Sequence, residues 1–320
     1  MPKRGCLGCS FPVIVGVSFV LLVLFVIGFA AGPLGKSIFH LELPSWLTVP
    51  KPELKLPAEE VFHLFGFPIT NSIIGAWVTI IFLVGFSWAI TRRMKLIPGR
   101  LQAAFESLIG WVYDLCRSVA GEENGRRFFP VVTTIFLFVG FNAWLGLLLP
   151  GFGSIIVHTA GGEVPLLRPA NTDINLPLAL ALTSFVFFWF FGLRALRIRF
   201  LGNFFNFGEF FRGVKLLFKG KVKDSILGLI TGVITIFTGF LELLSVLIRI
   251  VSLTFRLFGN MTAGEIFVLV LLFLVPFLSV LVIVPYGLEL LIGFIQAIIF
   301  SGLTLIFLTV AVESHEEGAH

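Results

Sequence analysis

Charged residues are scarce in this sequence. Of its 320 residues only 13% are charged, while 57% are hydrophobic, and soluble domains carry about 25% charged residues. This balance excludes a soluble globular protein. It predicts an all-α integral membrane protein, in which chain length measures the number of membrane spans rather than the volume of a water-soluble core.

Cysteine is also rare, with three residues in the chain. Cys6 and Cys9 form a C-x-x-C pattern beside a hydrophobic segment, but no second cysteine pair or histidine cluster lies near them in the sequence. We therefore expect no metal site and no cofactor. The two cysteines do not form a lipoprotein cleavage site, because the apolar run follows them. Acylation of a juxtamembrane cysteine remains open.

The sequence lacks a phosphate-binding loop of the form G-x-x-x-x-G-K-[ST], so we expect no direct nucleotide binding and no catalytic residue. The net charge of +5 does not indicate a nucleic-acid partner, because the basic residues are concentrated in two loops. Loops 92–127 and 194–223 hold seven and eight Lys/Arg, against three in 33–68 and one in 150–174. The positive-inside rule then predicts cytoplasmic N- and C-termini.

Apolar runs of spanning length predict about six membrane helices. Four spans are expected at 11–31, 71–90, 128–149 and 175–191, and two longer helices within 225–320. Residues 101–119 are predicted to lie on the cytoplasmic surface as an amphipathic helix, because Glu106, Asp114 and Arg117 interrupt them. The region 71–224 would thus consist of helices and two basic cytoplasmic loops.

The first seventy residues divide into two parts. We predict that 1–32 is a retained membrane anchor; the alternative is a cleaved signal peptide, with Ala30, Ala31 and Gly32 as the cleavage site. Residues 33–70 are polar and proline-rich, which predicts an extracytoplasmic segment with little regular structure, partly helical near Glu59.

The last third of the chain contains a long stretch without proline, from 226 to 274. As one helix it would measure roughly 70 Å, against a hydrocarbon core of ~30 Å, so it must break or tilt strongly. Pro276 and Pro285 are expected to bracket the return to a second long helix at 286–312. We predict a strongly tilted, antiparallel helix pair.

Ionisable residues recur at a regular interval in this stretch. Glu242, Arg249 and Arg256 are seven residues apart, nearly two helical turns, so they project from about the same side of one helix. A charge near the bilayer midplane costs at least ~2.5–3.5 kcal/mol, which favours an ion pathway. The alternative for the arginines is structural, by pairing with Glu242 or snorkelling to the headgroups. Glu289 and Gln296 repeat the spacing in the second helix.

The segment RLFGNMTAGE, with Glu242 fourteen residues before its arginine, resembles the core signature of subunit a of the rotary F-type ATP synthase. The resemblance extends from about Val61 to the C-terminus. It implies a non-catalytic stator subunit that conducts protons to and from a rotor ring through two offset half-channels. Relatives carry Glu, His or a small residue at the position of Glu265 and Glu or His at that of Glu289. Glutamate at both leaves a proton path plausible without the histidine of some relatives.

The resemblance also implies site residues. Arg256 is the cation that separates the half-channels, because its guanidinium does not give up its proton. The inner half-channel would contain Glu242 and Arg249. The outer half-channel would contain Asn260, Glu265, Glu289 and Gln296, with Asp173 near its mouth. Asp173 has an equally weighted alternative role, as the N-cap of the fourth span.

The expected partners are a rotor ring of small hairpin subunits with a buried carboxyl, the membrane subunits of the peripheral stalk, and the lipid bilayer. A bacterial plasma membrane is expected, with an organelle energy-transducing membrane as the alternative. The coupling ion is expected to be the proton, although the choice between sodium and proton depends largely on the ion site of the rotor ring. The competing function is a secondary transporter with a midplane site, a class that usually shows paired halves, and no such repeat is visible.

Overall fold

The computed structural model of the chain describes residues 11–33, 37, 57–92, 94–148, 156–159, 162–166, 168–197, 199–204, 208, 211–212, 214–215, 222–274 and 279–313. Several sequence predictions fall outside these ranges. They concern Cys6 and Cys9, most of the proline-rich segment before Pro57, most of the second basic loop, Pro276, and the acidic tail after Glu313.

Helices dominate the described part of the chain. They are α1 (Phe11–Ala31), α2 (Asn71–Thr91), α3 (Arg100–Leu148), α4 (Asn175–Leu196), α5 (Arg199–Phe204), α6 (Val222–Leu274) and α7 (Ser279–Glu313). Five of them, α2, α3, α4, α6 and α7, are long and apolar enough to cross a membrane, and α1 contains the shorter apolar helix Val15–Phe29. These six elements are the predicted membrane helices, so the all-α membrane fold is confirmed.

Helix α3 contains both the predicted surface helix and the predicted third span. The two halves meet at Gly121, whose φ of 76° and ψ of 177° are not helical. At Gly125 an added Cβ would lie 2.7 Å from the Cys116 carbonyl oxygen, so the two halves pass very close to each other. Glycine is required at the first position for its backbone conformation and at the second for this close approach.

Helix α6 runs for 53 residues without interruption, about 80 Å at 1.5 Å per residue. Of the two sequence alternatives, a break is therefore wrong for residues 222–274. A helix of this length fits within a ~30 Å core only when it is tilted.

Helix α7 begins at Ser279 and contains Pro285, so the predicted start at 286 and the placement of Pro285 at the return are wrong. Proline is tolerated inside membrane helices where the freed carbonyl finds another partner. Glu289, early in α7, lies against Gly264, late in α6, while Phe307, late in α7, lies under Arg249, earlier in α6. This reversed order is that of an antiparallel pair, as predicted.

Two short hairpins precede membrane helices. Strand β1 (Glu60–Leu64) pairs with β2 (Phe67–Thr70), and β3 (Ile156–Thr159) pairs with β4 (Gly162–Pro165), both antiparallel. The first turn consists of Phe65 and Gly66, both with positive φ, as two-residue hairpins prefer. The predicted helical structure near Glu59 is therefore wrong, because the chain pairs with itself there.

The chain divides into two compact units. The first comprises Met1–Val78, Asn142–Asp173 and Gly259–Ile295, and the second comprises Thr79–Phe141, Ile174–Phe258 and Gln296–His320. In the second unit, aromatic rings form much of the core, where Phe200 contacts Phe188, Trp189 and Phe204 edge to face.

Candidate functional site

A largely buried ion pair joins two elements of the first unit. Arg168 Nη2 is 3.3 Å from Glu265 Oε2, and the two side chains are 10% and 12% exposed. Glu265 belongs to α6, and Arg168 precedes the short 3₁₀ helix Ala170–Thr172. Because a charge away from water is costly unless it is paired, each residue accounts for the burial of the other.

Further contacts fix the position of Arg168. Its Nε donates to the Thr172 hydroxyl at 3.0 Å, and its Nη1 donates to the Pro57 carbonyl at 3.3 Å. Its own carbonyl oxygen lies so close to Gly75 of α2 that a Cβ at that position would collide with it. The arginine is thus held through its backbone and through its guanidinium.

Glu289 on α7 is the second acidic residue of this unit that the sequence singled out. It is 6% exposed, and its carboxylate lies against Gly264, the residue before Glu265, where a Cβ would overlap it. The structure therefore brings both predicted glutamates to one place on the α6–α7 pair.

Asp173 is buried and accepts a 2.7 Å hydrogen bond from the Ser72 hydroxyl. Ser72 in turn lies 2.9 Å from the Thr70 hydroxyl at the end of β2. Ile174 immediately precedes α4 and Asp173 lies one residue earlier with an extended backbone, so its alternative role as a helix N-cap stays a prediction. Two residues earlier, the backbone N–H of Asn171 donates a 3.1 Å hydrogen bond to the Asn142 side-chain oxygen.

The remaining predicted residues differ in their surroundings. Asn260 in the first unit is exposed, as are Glu242 and Arg256 in the second unit, whereas Gln296 is buried. Arg249 is half-buried, and its guanidinium carbon lies 4.9 Å from the centre of the Phe307 ring. A shallow recess beside Arg249 is lined by Ser184, Phe188, Leu253 and other residues of the second unit.

Sequence reasoning missed three residues of the first unit: Arg168, Thr172 and Ser72. Arg168 is the one basic residue in 150–174 and was used for orientation alone. A buried carboxylate at position 265 requires a nearby cation, and this requirement could have pointed to Arg168 as its partner. Nothing local in the sequence pointed to Ser72, which lies 101 residues from its partner. Among the described residues, no group of three or more His, Cys, Asp or Glu is arranged to hold a metal ion.

Comparison with known proteins identifies the family. The model of the ATP synthase A chain family matches residues 73–309. The chain is 36% identical over 252 residues to ATP synthase subunit a of Gloeobacter violaceus, covering 77% of this chain and 85% of the relative. It is 29% identical over 256 residues to the Moorella thermoacetica subunit, covering 80% and 97%, and 31% identical over 248 residues to a Helicobacter pylori subunit, covering 78% and 91%. The chain belongs to the ATP synthase A chain family.

Proposed function

We propose that this protein is the stator subunit of an ATP synthase membrane sector, conducting protons through two offset half-channels to and from the carboxylates of a rotor ring. The observation that carries the proposal is the family match across 73–309. This range contains the charged stripe of α6, formed by Glu242, Arg249 and Arg256, and the two polar residues of α7, Glu289 and Gln296. The subunit itself is non-catalytic, and ATP synthesis belongs to partner subunits.

Arg256 would act as the fixed cation between the half-channels. It is exposed on a helix whose neighbouring residues Val251 and Phe255 are also exposed, so a partner can reach it. A rotor carboxyl in apolar surroundings stays protonated, because its charged form is costly there. Near a guanidinium the ionised form is favoured and the proton leaves. Arginine remains charged throughout, so a proton crosses only by travelling with the ring.

The outer half-channel would include Asp173, Glu265, Glu289, Asn260 and Gln296. In support of this, Glu265 and Glu289 lie together on the α6–α7 pair of the first unit. The inner half-channel would include Glu242 and Arg249. Moving one charge through 100 mV supplies ~2.3 kcal/mol. Because the two paths do not connect, a proton crosses only when the ring turns, and this free energy therefore drives rotation.

The Arg256→Ala variant tests the proposal. We expect ATP-driven proton pumping in inverted membrane vesicles to fall to background, because the rotor carboxyl loses the positive charge that favours release of its proton. The matched control is Arg100→Ala, which removes an exposed arginine outside the α6 stripe and should pump normally. Pumping by Arg256→Ala at the rate of the control would refute the proposal.

The proposed partners are a ring of small two-helix subunits with one buried carboxyl and the peripheral-stalk membrane subunits. The bacterial relatives and the basic loops support a bacterial plasma membrane, with both termini cytoplasmic. Co-purification in mild detergent should recover a small, very hydrophobic protein with one central Glu or Asp. If the chain is purified from membranes that contain the assembled complex and no such protein accompanies it, the stator assignment is contradicted.

A further inference from the structure

We propose that Arg168 is a positioning residue of the outer half-channel: it holds Glu265 as a permanently ion-paired carboxylate, so that Glu289 is the group that carries the proton. This inference rests on the proposed function and adds a division of labour between the two glutamates. The transferred proton would come from water on the outer side, bind the Glu289 carboxylate, and pass to a rotor carboxylate, which leaves Glu289 ionised again.

The first argument is the burial of the ion pair. Arg168 and Glu265 are each about nine-tenths buried, with 3.3 Å between Nη2 and Oε2. Protonating Glu265 would leave the guanidinium without its anion in a site largely shielded from water. Breaking a buried pair in this way is strongly unfavourable. Glu265 is therefore a poor carrier for a proton that must bind and leave in every cycle.

The second argument is that Arg168 cannot follow a moving partner. The Thr172 hydroxyl and the Pro57 carbonyl each accept a hydrogen bond from its guanidinium. Its backbone is in close contact with Gly75. These contacts come from three separate parts of the first unit, so the guanidinium is a fixed point to which the Glu265 carboxylate is tied.

The third argument is the contrast with Glu289. Its carboxylate is buried against the α-carbon of Gly264, and in the described part of the chain no lysine or arginine forms an ion pair with it. It can gain or lose a proton without breaking a salt bridge. Being next to the fixed Glu265 carboxylate, a protonated Glu289 also avoids placing two negative charges side by side.

The test uses the whole complex and compares Arg168→Gln, the double variant Arg168→Gln/Glu265→Gln, Glu289→Gln alone, and Glu289→Gln added to the double variant. ATP-driven pumping in inverted vesicles is divided by the amount of assembled complex, measured by immunoblot. We expect Arg168→Gln to lower this specific rate about tenfold or more, because it leaves the Glu265 carboxylate unpaired. The double variant should recover to within about threefold of the wild type.

Glu289→Gln should lower the specific rate about tenfold in the wild-type background and again in the double-variant background, because it removes the carrier itself. Arg168→Lys, which keeps the charge but not the planar fork, should give a rate between those of wild type and Arg168→Gln. It also keeps the test decisive if Arg168→Gln does not assemble. The matched control is Arg117→Gln, which breaks the exposed pair of Arg117 with Glu122 and should change nothing.

Three results would overturn the inference. One is a double variant as slow as Arg168→Gln alone. Another is an Arg168→Gln variant that changes the amount of complex but not the specific rate, which would indicate a purely structural role. The third is a Glu289→Gln variant that pumps normally. Arg256→Ala is measured in the same vesicles: if it is inactive while Arg168→Gln is normal, this inference fails and the proposed function stands.

Discussion

The carboxylate of Glu289 on α7 lies against the α-carbon of Gly264 on α6, closer than a side chain at position 264 would allow. Glycine at this position leaves room for the buried Glu289 side chain between the two helices. The backbone of Gly264 needs no unusual dihedral angles, since it lies within a regular helix. Its role is to leave space.

Gly264→Ala should therefore displace Glu289 and lower ATP-driven proton pumping about tenfold, with a cost to stability of roughly 1–3 kcal/mol from overpacking. Pumping in inverted vesicles and complex yield are the measurements. The matched control is Gly287→Ala, because Gly287 is on α7 with open space around its α-carbon. Equal pumping rates for the two variants would show that Glu289 adapts freely.

Ser72→Ala removes the hydroxyl that donates to the Asp173 carboxylate. Leaving a buried acceptor without this donor should cost about 1–3 kcal/mol and loosen the segment before α4. Thermal inactivation of the purified complex should show a lower midpoint temperature. Ser118→Ala serves as the control, since Ser118 is exposed and its hydroxyl contacts only the local Leu115 carbonyl in the described structure. If both variants inactivate at the same temperature, this hydrogen bond does not stabilise the fold.

Gly121→Ala tests the break in α3. The backbone at Gly121, with φ 76° and ψ 177°, lies in a region that is essentially restricted to glycine and costs another residue about 1–3 kcal/mol. We expect a clearly reduced yield of assembled complex, measured by immunoblot of membranes. Gly110→Ala, in the regular first half of the same helix with open space around it, should assemble at least as well as the wild type. Normal assembly of Gly121→Ala would mean that the break is not required.

Phe307→Leu tests the contact between the Arg249 guanidinium and the Phe307 ring, 4.9 Å from its centre. Leucine keeps an apolar side chain but removes the ring face, a loss of about 0.5–2 kcal/mol. We expect pumping to fall by a factor of about two to ten, with Arg249→Ala affected in the same direction and more strongly. Phe19→Leu, which changes an exposed ring on α1, is the control. If Phe307→Leu pumps like this control, the contact between Arg249 and the Phe307 ring does not contribute to pumping, and any role of Arg249 depends on other groups.

The sequence was sufficient for those features that depend on neighbouring residues. Composition determined the membrane class, and apolar run length located the membrane helices, although α7 begins seven residues before its predicted start. The seven-residue spacing of Glu242, Arg249 and Arg256 placed them on one side of α6, because helical periodicity is a property of the chain itself. The motif around Arg256 was sufficient to recognise the family.

Only the tertiary structure revealed the partners of the buried charges. Arg168 and Glu265 are 97 residues apart, and Ser72 and Asp173 are 101 apart, so no local pattern links either pair. It also placed Pro285 inside α7 and the chain near Glu59 in a hairpin. For both pairs the physical reason is that a buried polar group takes whichever partner the packed fold brings within reach, and here that partner comes from a distant segment.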